Sequence, residues 1–131
     1  SKDGTRVPYF QVSRKGRTAP GPTLISAYGG FEIPMVPQYS GSFGVGWMAR
    51  GGTYVLANLR GGGEYGPAWH QAARRENRPR AYEDCAAIAE DLVALKVTTA
   101  KQLGIFGGSN GGLLTSVMLT RYPHLFGAIV S

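Results

Sequence analysis

The fold is decided by the stretch GGSNGG at residues 107–112, which stands between the apolar run LGIF at 103–106 and the apolar segment LLTSVML at 113–119. It contains Gly-x-Ser-x-Gly in the order strand, turn, helix. This is the setting in which a nucleophile elbow presents a serine hydroxyl above a sheet. Side chains at positions 107 and 111 would collide in so sharp a turn, which explains the glycines there. The pattern therefore predicts that Ser109 is an exposed nucleophile.

The helix that begins at Asn110 adds a second feature of a catalytic serine. Its N-terminal N–H groups and its dipole point toward the turn, where they would stabilise the oxyanion of a tetrahedral intermediate. Phosphate binding is the main alternative for such a turn, but the chain has no Gly-x4-Gly-Lys-Ser/Thr pattern. Gly61, Gly63 and Gly66 have dinucleotide spacing, yet neither a convincing helix nor a suitably placed acidic residue follows them. We predict no nucleotide and no other cofactor.

Short apolar runs on both sides of the elbow predict the strands of a sheet. Four of them suit buried strands: 23–28, 53–60, 103–106 and 127–130. Residues 6–13 alternate in polarity between two turn signals, which is typical of an edge or outer strand. Glycine clusters follow three of the runs, at 29–30, 61–63 and 107–108. The special backbone positions thus collect at the carboxyl edge, where open α/β sheets bind their ligands.

Three segments between the predicted strands have helical patterns: 42–50, 81–96 and 110–122. In 81–96 an apolar stripe is formed by Cys85, Ile88, Leu92 and Leu95. The carboxylates of this helix could be mistaken for an acid–base or metal cluster, but we predict a solvated surface: Glu83, Asp84, Glu90 and Asp91. The segment 110–122 is apolar nearly all round and should be buried against the sheet. The alternation of strands and helices predicts a mainly parallel α/β sheet.

Composition indicates a globular protein and limits its partners. The chain has 131 residues, of which 43% are hydrophobic and 17% charged, so it is not disordered. Its net charge of +6 makes nucleic acid a partner to consider. Five of the 14 basic residues, however, lie in the first 17 positions and only four in the segment 74–80, which Glu76 and Pro79 interrupt. We predict that 74–80 is a solvated basic loop, with a phosphate or acidic-partner contact as the alternative, and that no nucleic acid binds.

Cysteine usage and hydropathy point to an intracellular setting. Cys85 is the only cysteine, which excludes an intrachain disulfide and a multi-cysteine metal site. No apolar run approaches the roughly 18 residues of a membrane span, and no basic-then-apolar leader opens the chain. We expect no metal, no membrane association and a cytoplasmic location.

Three motifs, in this order, resemble those of the prolyl oligopeptidase family of serine peptidases. They are YGGF at 28–31, NLRGGGEYG at 58–66 followed by Trp69-His70, and GGSNGGLL at 107–114. Together they extend over nearly the whole chain and are far more specific than the elbow alone. The sequence is similar to the prolyl-type branch more than to the oligopeptidase B branch, which tends to have Ala at the position of Asn110.

The resemblance implies a role for each matching position. Ser109 would be the acyl-forming nucleophile, and the backbone N–H of Asn110 would be one oxyanion-hole donor. The phenol of Tyr28 would be the other, and Phe31 would line the pocket for the P1 side chain of a peptide substrate. Ordinary aromatic packing under a loop remains the alternative for Tyr28 and Phe31. The chain departs from the family pattern at Ala27, where Gly is usual, which could shift the loop that bears Tyr28.

A hydrolase elbow also needs an acid and a histidine later in the chain. No Asp or Glu follows Ser109, and the only later histidine is His124, at the far end of the elbow helix. We expect surface or structural roles for His124 and for His70. The resemblance then implies that the triad Asp and His lie beyond residue 131 and that a propeller domain precedes residue 1.

We therefore expect residues 1–131 to form part of an α/β-hydrolase fold with a mainly parallel sheet, truncated after the strand that follows the elbow helix. The predicted activity is that of a serine peptidase acting on short peptides, with the isolated chain inactive. A non-catalytic binding or assembly module and an esterase of the same fold are the alternatives. Half a sheet leaves an open edge, so self-association or pairing with the missing part of the domain is also expected.

Overall fold

The computed structural model describes all residues 1–131, which form one five-stranded sheet with helices around it. The strands are β1 (Tyr9–Val12), β2 (Thr23–Ser26), β3 (Thr53–Ala57), β4 (Leu103–Phe106) and β5 (Ala128–Val130). The helices are α1 (Gly41–Gly46), α2 (Pro67–Gln71), α3 (Pro79–Ala94) and α4 (Asn110–Arg121). Single 3-10 turns occur at Met48–Arg50, Arg75–Asn77, Ala100–Gln102 and Pro123–Leu125.

The sheet has the order β1-β3-β2-β4-β5, and its last four strands in this order are parallel. β1 lies at one edge of the sheet, the position that the alternating pattern at 6–13 predicts, and it pairs antiparallel with β3. In the centre Ile25 is in register with Val55 on one side and with Ile105 on the other. All three are fully buried. The predicted α/β fold with a mainly parallel sheet is confirmed, although β2 and β3 end two or three residues early because their last residues turn into the glycine loops.

The apolar stripe of α3 packs on this sheet. Cys85, Ile88 and Leu92 are at most 2% exposed and belong to the main hydrophobic cluster. Leu95 was predicted as a fourth member, but it lies at the C-cap of α3 and is 61% exposed. The helix has already ended there, so the side chain leaves the packed face.

Asp84 contradicts the prediction that the carboxylates of α3 form a solvated surface. It is fully buried and forms an ion pair with Arg60, which is itself 4% exposed. Arg60 donates from Nη2 to Asp84 Oδ1 at 2.6 Å and from Nε to Oδ2 at 2.9 Å, while its Nη1 donates to Asp3 Oδ2 at 2.5 Å. These contacts fasten the start of the chain and α3 to the end of β3. They also raise the pKa of Arg60 above its usual range, chiefly through the hydrogen bond with Asp84.

Helix α4 and strand β5 are less buried than their sequences predict. Leu114 and Met118 of α4 are fully buried, but Leu113 and Leu119 are more than half exposed. In β5 Val130 is 53% exposed, although 127–130 suits a buried strand. The reason is that β5 is the last strand of the sheet and nothing in the chain packs on its outer side or on the outer face of α4.

Two connections also differ in detail from the sequence-based expectations. The segment 42–50 forms α1 and then a separate 3-10 turn, which Gly51 closes with φ +90°. The segment after Gly66 does form a helix, but α2 is only five residues long. No helix is long and apolar enough to cross a bilayer.

Candidate active site

Ser109 occupies a strained turn between β4 and α4. Its φ of 54° and ψ of −120° lie in a region that residues with a side chain rarely adopt, at a cost of order 1–3 kcal/mol. A Cβ at Gly111 would lie 2.7 Å from the carbonyl oxygen of Ala27, and a Cβ at Gly107 would overlap the backbone of Gly111. The steric reason predicted for both glycines is therefore confirmed. Because Ser109 is exposed, the turn presents its hydroxyl to solvent.

The backbone N–H of Asn110 is free to bind a ligand atom. It belongs to the first turn of α4, where no earlier helical carbonyl is available, and it donates to no other group of the chain. Around it, the N–H of Gly111 donates to the Gly108 carbonyl at 2.8 Å, and the N–H of Leu113 donates to the Ser109 carbonyl at 3.2 Å. The dipole of α4 adds positive potential at the same end.

The loop after β2 carries the other two predicted site residues. Tyr28 is half-buried at the carboxyl end of the strand, and Phe31 is 74% exposed three residues later. Gly29, Phe31 and Glu32 all have φ between 53° and 59°, so the loop contains two left-handed residues that are not glycine. The N–H of Ile33 donates to the Gly30 carbonyl at 3.1 Å and closes the turn.

The side chain of Asn110 joins this loop to the elbow. Its Nδ2 donates to the carbonyl oxygen of Tyr28 at 2.6 Å. A Cβ at Gly30 would lie 2.5 Å from the same Nδ2, so this position must be glycine for the amide to fit. The structure thus brings Ser109, Asn110 and the backbone of Tyr28 together. Phe31 lies beside them, where it lines a shallow cavity of about 370 Å³ together with Asn110.

The glycine triplet at 61–63 supports the loop that bears Tyr28. A Cβ at Gly61 would lie 2.6 Å from the Gly29 carbonyl oxygen, and a Cβ at Gly63 would overlap the Glu32 carbonyl. The carbonyl of Gly61 accepts from the N–H of Glu32 at 3.1 Å. His70 Nδ1 lies 2.6 Å from the same oxygen and 3.1 Å from the backbone nitrogen of Glu32, in agreement with the structural role predicted for His70.

His124 lies in the single turn after α4 and is exposed. It is therefore at the opposite end of that helix from Ser109, in agreement with the surface role predicted for it. Ala27 is 3% exposed, and its carbonyl forms the close approach to Gly111. No group of three or more His, Cys, Asp or Glu side chains in the chain could hold a metal ion.

Arg78 is the residue beside the site that sequence reasoning missed. The segment 74–80 was predicted to be a solvated loop, and Arg74 and Arg75 are exposed, but Arg78 is partly buried against the elbow. Its Nη2 donates to Asn110 Oδ1 at 3.3 Å, and its Nη1 donates to the Gly29 carbonyl. Since Arg78 and Asn110 are 32 positions apart in different connections, no spacing pattern in the sequence could have paired them.

Comparison with known proteins identifies the family. The sequence model of the prolyl oligopeptidase family matches residues 38–131. The chain belongs to the prolyl oligopeptidase family. An uncharacterized peptidase of Sinorhizobium fredii is 55% identical over 99% of the chain, and the prolyl endopeptidase of Elizabethkingia miricola is 38% identical over 95% of it. The solved structure of a post-proline cleaving enzyme from Rickettsia typhi matches 97% of the chain with a TM-score of 0.94 and 46% identity.

These comparisons confirm the family that the three motifs resemble, and the names of the last two relatives agree with the prolyl-type branch. The chain spans only part of each relative. It covers 18% of the Sinorhizobium and Elizabethkingia proteins and 19% of the Rickettsia typhi chain. The chain therefore corresponds to less than a fifth of the length of these relatives.

Proposed function

We propose that the full-length protein which contains this chain is a serine peptidase that cleaves peptides after proline through an acyl-enzyme on Ser109. The observation that carries the proposal is the strained turn of Ser109 in a chain of the prolyl oligopeptidase family. The post-proline preference is taken from relatives that are named prolyl endopeptidase and post-proline cleaving enzyme.

The proposed reaction begins when Ser109 Oγ attacks the carbonyl carbon of the scissile bond. The hydroxyl proton passes to a histidine base and from there to the leaving nitrogen, so that the C–N bond breaks and an ester on Ser109 remains. Water then attacks the ester: the histidine takes a proton from the water and gives it to Ser109 Oγ as the ester C–O bond breaks, and the acyl group leaves as a carboxylic acid. Because no Asp or Glu follows Ser109 in the chain, we propose that the base and its acid partner lie after residue 131.

The negative charge that develops on the substrate oxygen needs donors already in place. The unpaired N–H of Asn110 provides the first of them in this proposal. The phenol of Tyr28 provides the second, from a loop that is held against the elbow by the bond between Asn110 Nδ2 and the Tyr28 carbonyl. Phe31, which is exposed beside Asn110, would contact the proline ring of the substrate.

The domain organisation is also part of the proposal. A propeller domain would precede residue 1, and the rest of the α/β domain would follow residue 131 and cover the exposed side of α4 and β5. The isolated chain, without a base for Ser109, would then have negligible turnover. The predicted cytoplasmic location stays a prediction.

A substrate panel tests the proposed activity in the full-length protein. Short blocked peptides with a chromogenic leaving group after Pro, Ala or Arg should show at least a tenfold preference for Pro in kcat/KM, and Ser109→Ala should abolish cleavage. Phe31→Ala should raise KM for the prolyl substrate. Rapid hydrolysis of simple esters without peptide cleavage would favour an esterase, and binding of peptides without turnover would favour a non-catalytic module.

A further inference from the structure

Arg78 makes an unusual set of contacts for a residue in a basic connection. It is the N-cap residue of α3, and its guanidinium lies 5.2 Å from the centre of the Tyr82 ring. Each of its three nitrogens has a partner: Nε donates to the Tyr82 phenol at 3.3 Å, Nη2 donates to Asn110 Oδ1 at 3.3 Å, and Nη1 donates to the Gly29 carbonyl. The planar fork therefore spans the elbow and the loop after β2.

The amide of Asn110 is fixed at both ends by this arrangement. Its oxygen accepts from Arg78, and its nitrogen donates to the carbonyl oxygen of Tyr28. A rotation of the amide by 180° would place two donors together at Arg78 and two acceptors together at Tyr28, so only one orientation is compatible with both partners. The guanidinium thus determines how the Asn110 side chain holds the Tyr28 loop.

The surrounding glycines leave room for this network. A Cβ at Gly30 would lie 2.5 Å from Asn110 Nδ2. A Cβ at Gly61 would lie 3.1 Å from Arg78 Nη1 and 2.6 Å from the Gly29 carbonyl oxygen that accepts its hydrogen bond. The side chains of Asn110 and Arg78 therefore occupy space that a side chain at position 30 or 61 would need.

We propose that Arg78 is a positioning residue for the oxyanion hole. The inference rests on the proposed function, in which the N–H of Asn110 and the phenol of Tyr28 bind the developing oxyanion. The first donor belongs to the elbow and the second to the loop after β2. Arg78 binds the Asn110 side chain and the carbonyl next to Tyr28, so it fixes the distance between the two donors. It does not itself contact the substrate in this proposal.

Correct placement of the oxyanion donors stabilises the transition state more than the bound substrate, because the oxyanion forms only when Ser109 attacks. In the full-length protein, Arg78→Met should lower kcat for a prolyl peptide about 10- to 100-fold, in line with the effect of a misplacement near 1 Å. KM should change by less than about threefold. Values of kcat are expressed per active site, as titrated with a fluorophosphonate.

Two further variants separate positioning from simple support of the fold. Asn110→Ala should lower kcat to a similar extent, and the double variant should be no more than about threefold slower than the slower single variant, because both changes break one network. Arg78→Lys should recover only part of the lost kcat, because one ammonium cannot bind both acceptors with the geometry of the guanidinium fork. Arg80→Met is the matched control, because Arg80 is in the same helix but contacts the Ala72 carbonyl and Asp3.

The outcomes are distinguishable. Wild-type kcat per titrated site in Arg78→Met, even with a lowered Tm, would overturn the inference and leave the proposed function intact. Multiplied losses in the double variant, or an equal loss in Arg80→Met, would also overturn it. If the fluorophosphonate does not label Ser109 in the wild-type protein, the proposed function is refuted, and the inference is refuted with it. If Arg78→Met does not fold, Arg78→Gln replaces it under the same criteria.

Discussion

The close approach of Gly111 to the backbone of Ala27 gives the sharpest prediction, which concerns Gly111→Ala. The added Cβ would lie 2.7 Å from the Ala27 carbonyl oxygen, whereas ordinary contact begins at 3.4 Å, so α4 and the end of β2 must separate by the difference, about 0.7 Å. Gly111 follows Asn110 directly, and Ala27 precedes Tyr28 directly. The displacement therefore acts on both proposed oxyanion donors at once.

A shift of this size should lower kcat about 10- to 100-fold, since about 1 Å can cost a factor near 100. Strain of this kind costs about 1–3 kcal/mol of stability, and the better helix propensity of Ala offsets at most about 1 kcal/mol of it. The assay is kcat for a prolyl peptide per titrated active site, together with the Tm of the full-length protein. We expect both values to fall.

The matched control is Gly112→Ala, at the next position of the same helix. There the Cβ would meet only Ser131 Oγ at 3.3 Å and the Gly107 carbonyl oxygen at 3.6 Å, and the serine side chain can rotate away. The gain in helix propensity is similar, so this variant should keep kcat and Tm close to those of the wild type or raise Tm slightly. Equal behaviour of the two variants would refute the argument from the close approach.

Three other predictions concern the buried charges and the thiol. Asp84→Asn leaves the buried Arg60 without its main counterion and should lower the free energy of unfolding, measured in urea, by about 3–5 kcal/mol. The exposed control Glu90→Gln should lower it by less than about 0.5 kcal/mol. A loss below about 1 kcal/mol in Asp84→Asn would contradict the buried ion pair. Hydrogen bonds, above all those from Arg60, hold the pKa of Asp3 below its usual range. The ionised Asp3 therefore stabilises the folded state at pH values above its ordinary pKa, and this contribution is lost as the pH falls through its pKa in the folded state. The stability difference between wild type and Asp3→Asn should accordingly shrink on acidification, and a difference that grows at low pH would be inconsistent with this sign. Burial raises the pKa of the Cys85 thiol to about 12. Peptide mapping after treatment with iodoacetamide at pH 8 should therefore find Cys85 unmodified in the folded protein and modified in urea. Rapid modification of the folded protein would contradict the burial of the thiol.

The sheet and the elbow can be predicted from the sequence because both depend on local patterns. A short apolar run followed by glycines identifies each central strand, and Gly107 and Gly111 reveal a sharp turn whose reason is steric. Tyr28 and Phe31 were identified through the family resemblance, and the structure adds that the Tyr28 carbonyl binds Asn110 and that Phe31 shares a cavity with Asn110. Their roles remain proposals.

The missed features depend on contacts between distant segments. Asp84 has the periodicity of a helix surface, but its position opposite Arg60 at the end of β3 buries it. Arg78 stands in a run of basic residues that is otherwise exposed, and only the fold brings it to Asn110. Leu113 has the hydrophobicity of a core residue, yet it is 54% exposed because no part of this chain packs over that side of α4.

Covalent labelling of Ser109 tests the central claim most directly. The full-length protein is treated with a fluorophosphonate, the modified peptide is located by mass spectrometry, and the remaining cleavage of a prolyl substrate is measured on the same sample. The account predicts one adduct per chain on the peptide that contains Ser109, loss of cleavage in proportion to labelling, and neither labelling nor cleavage in Ser109→Ala. Cleavage that persists in Ser109→Ala, or an inactivating adduct on another residue, would contradict it.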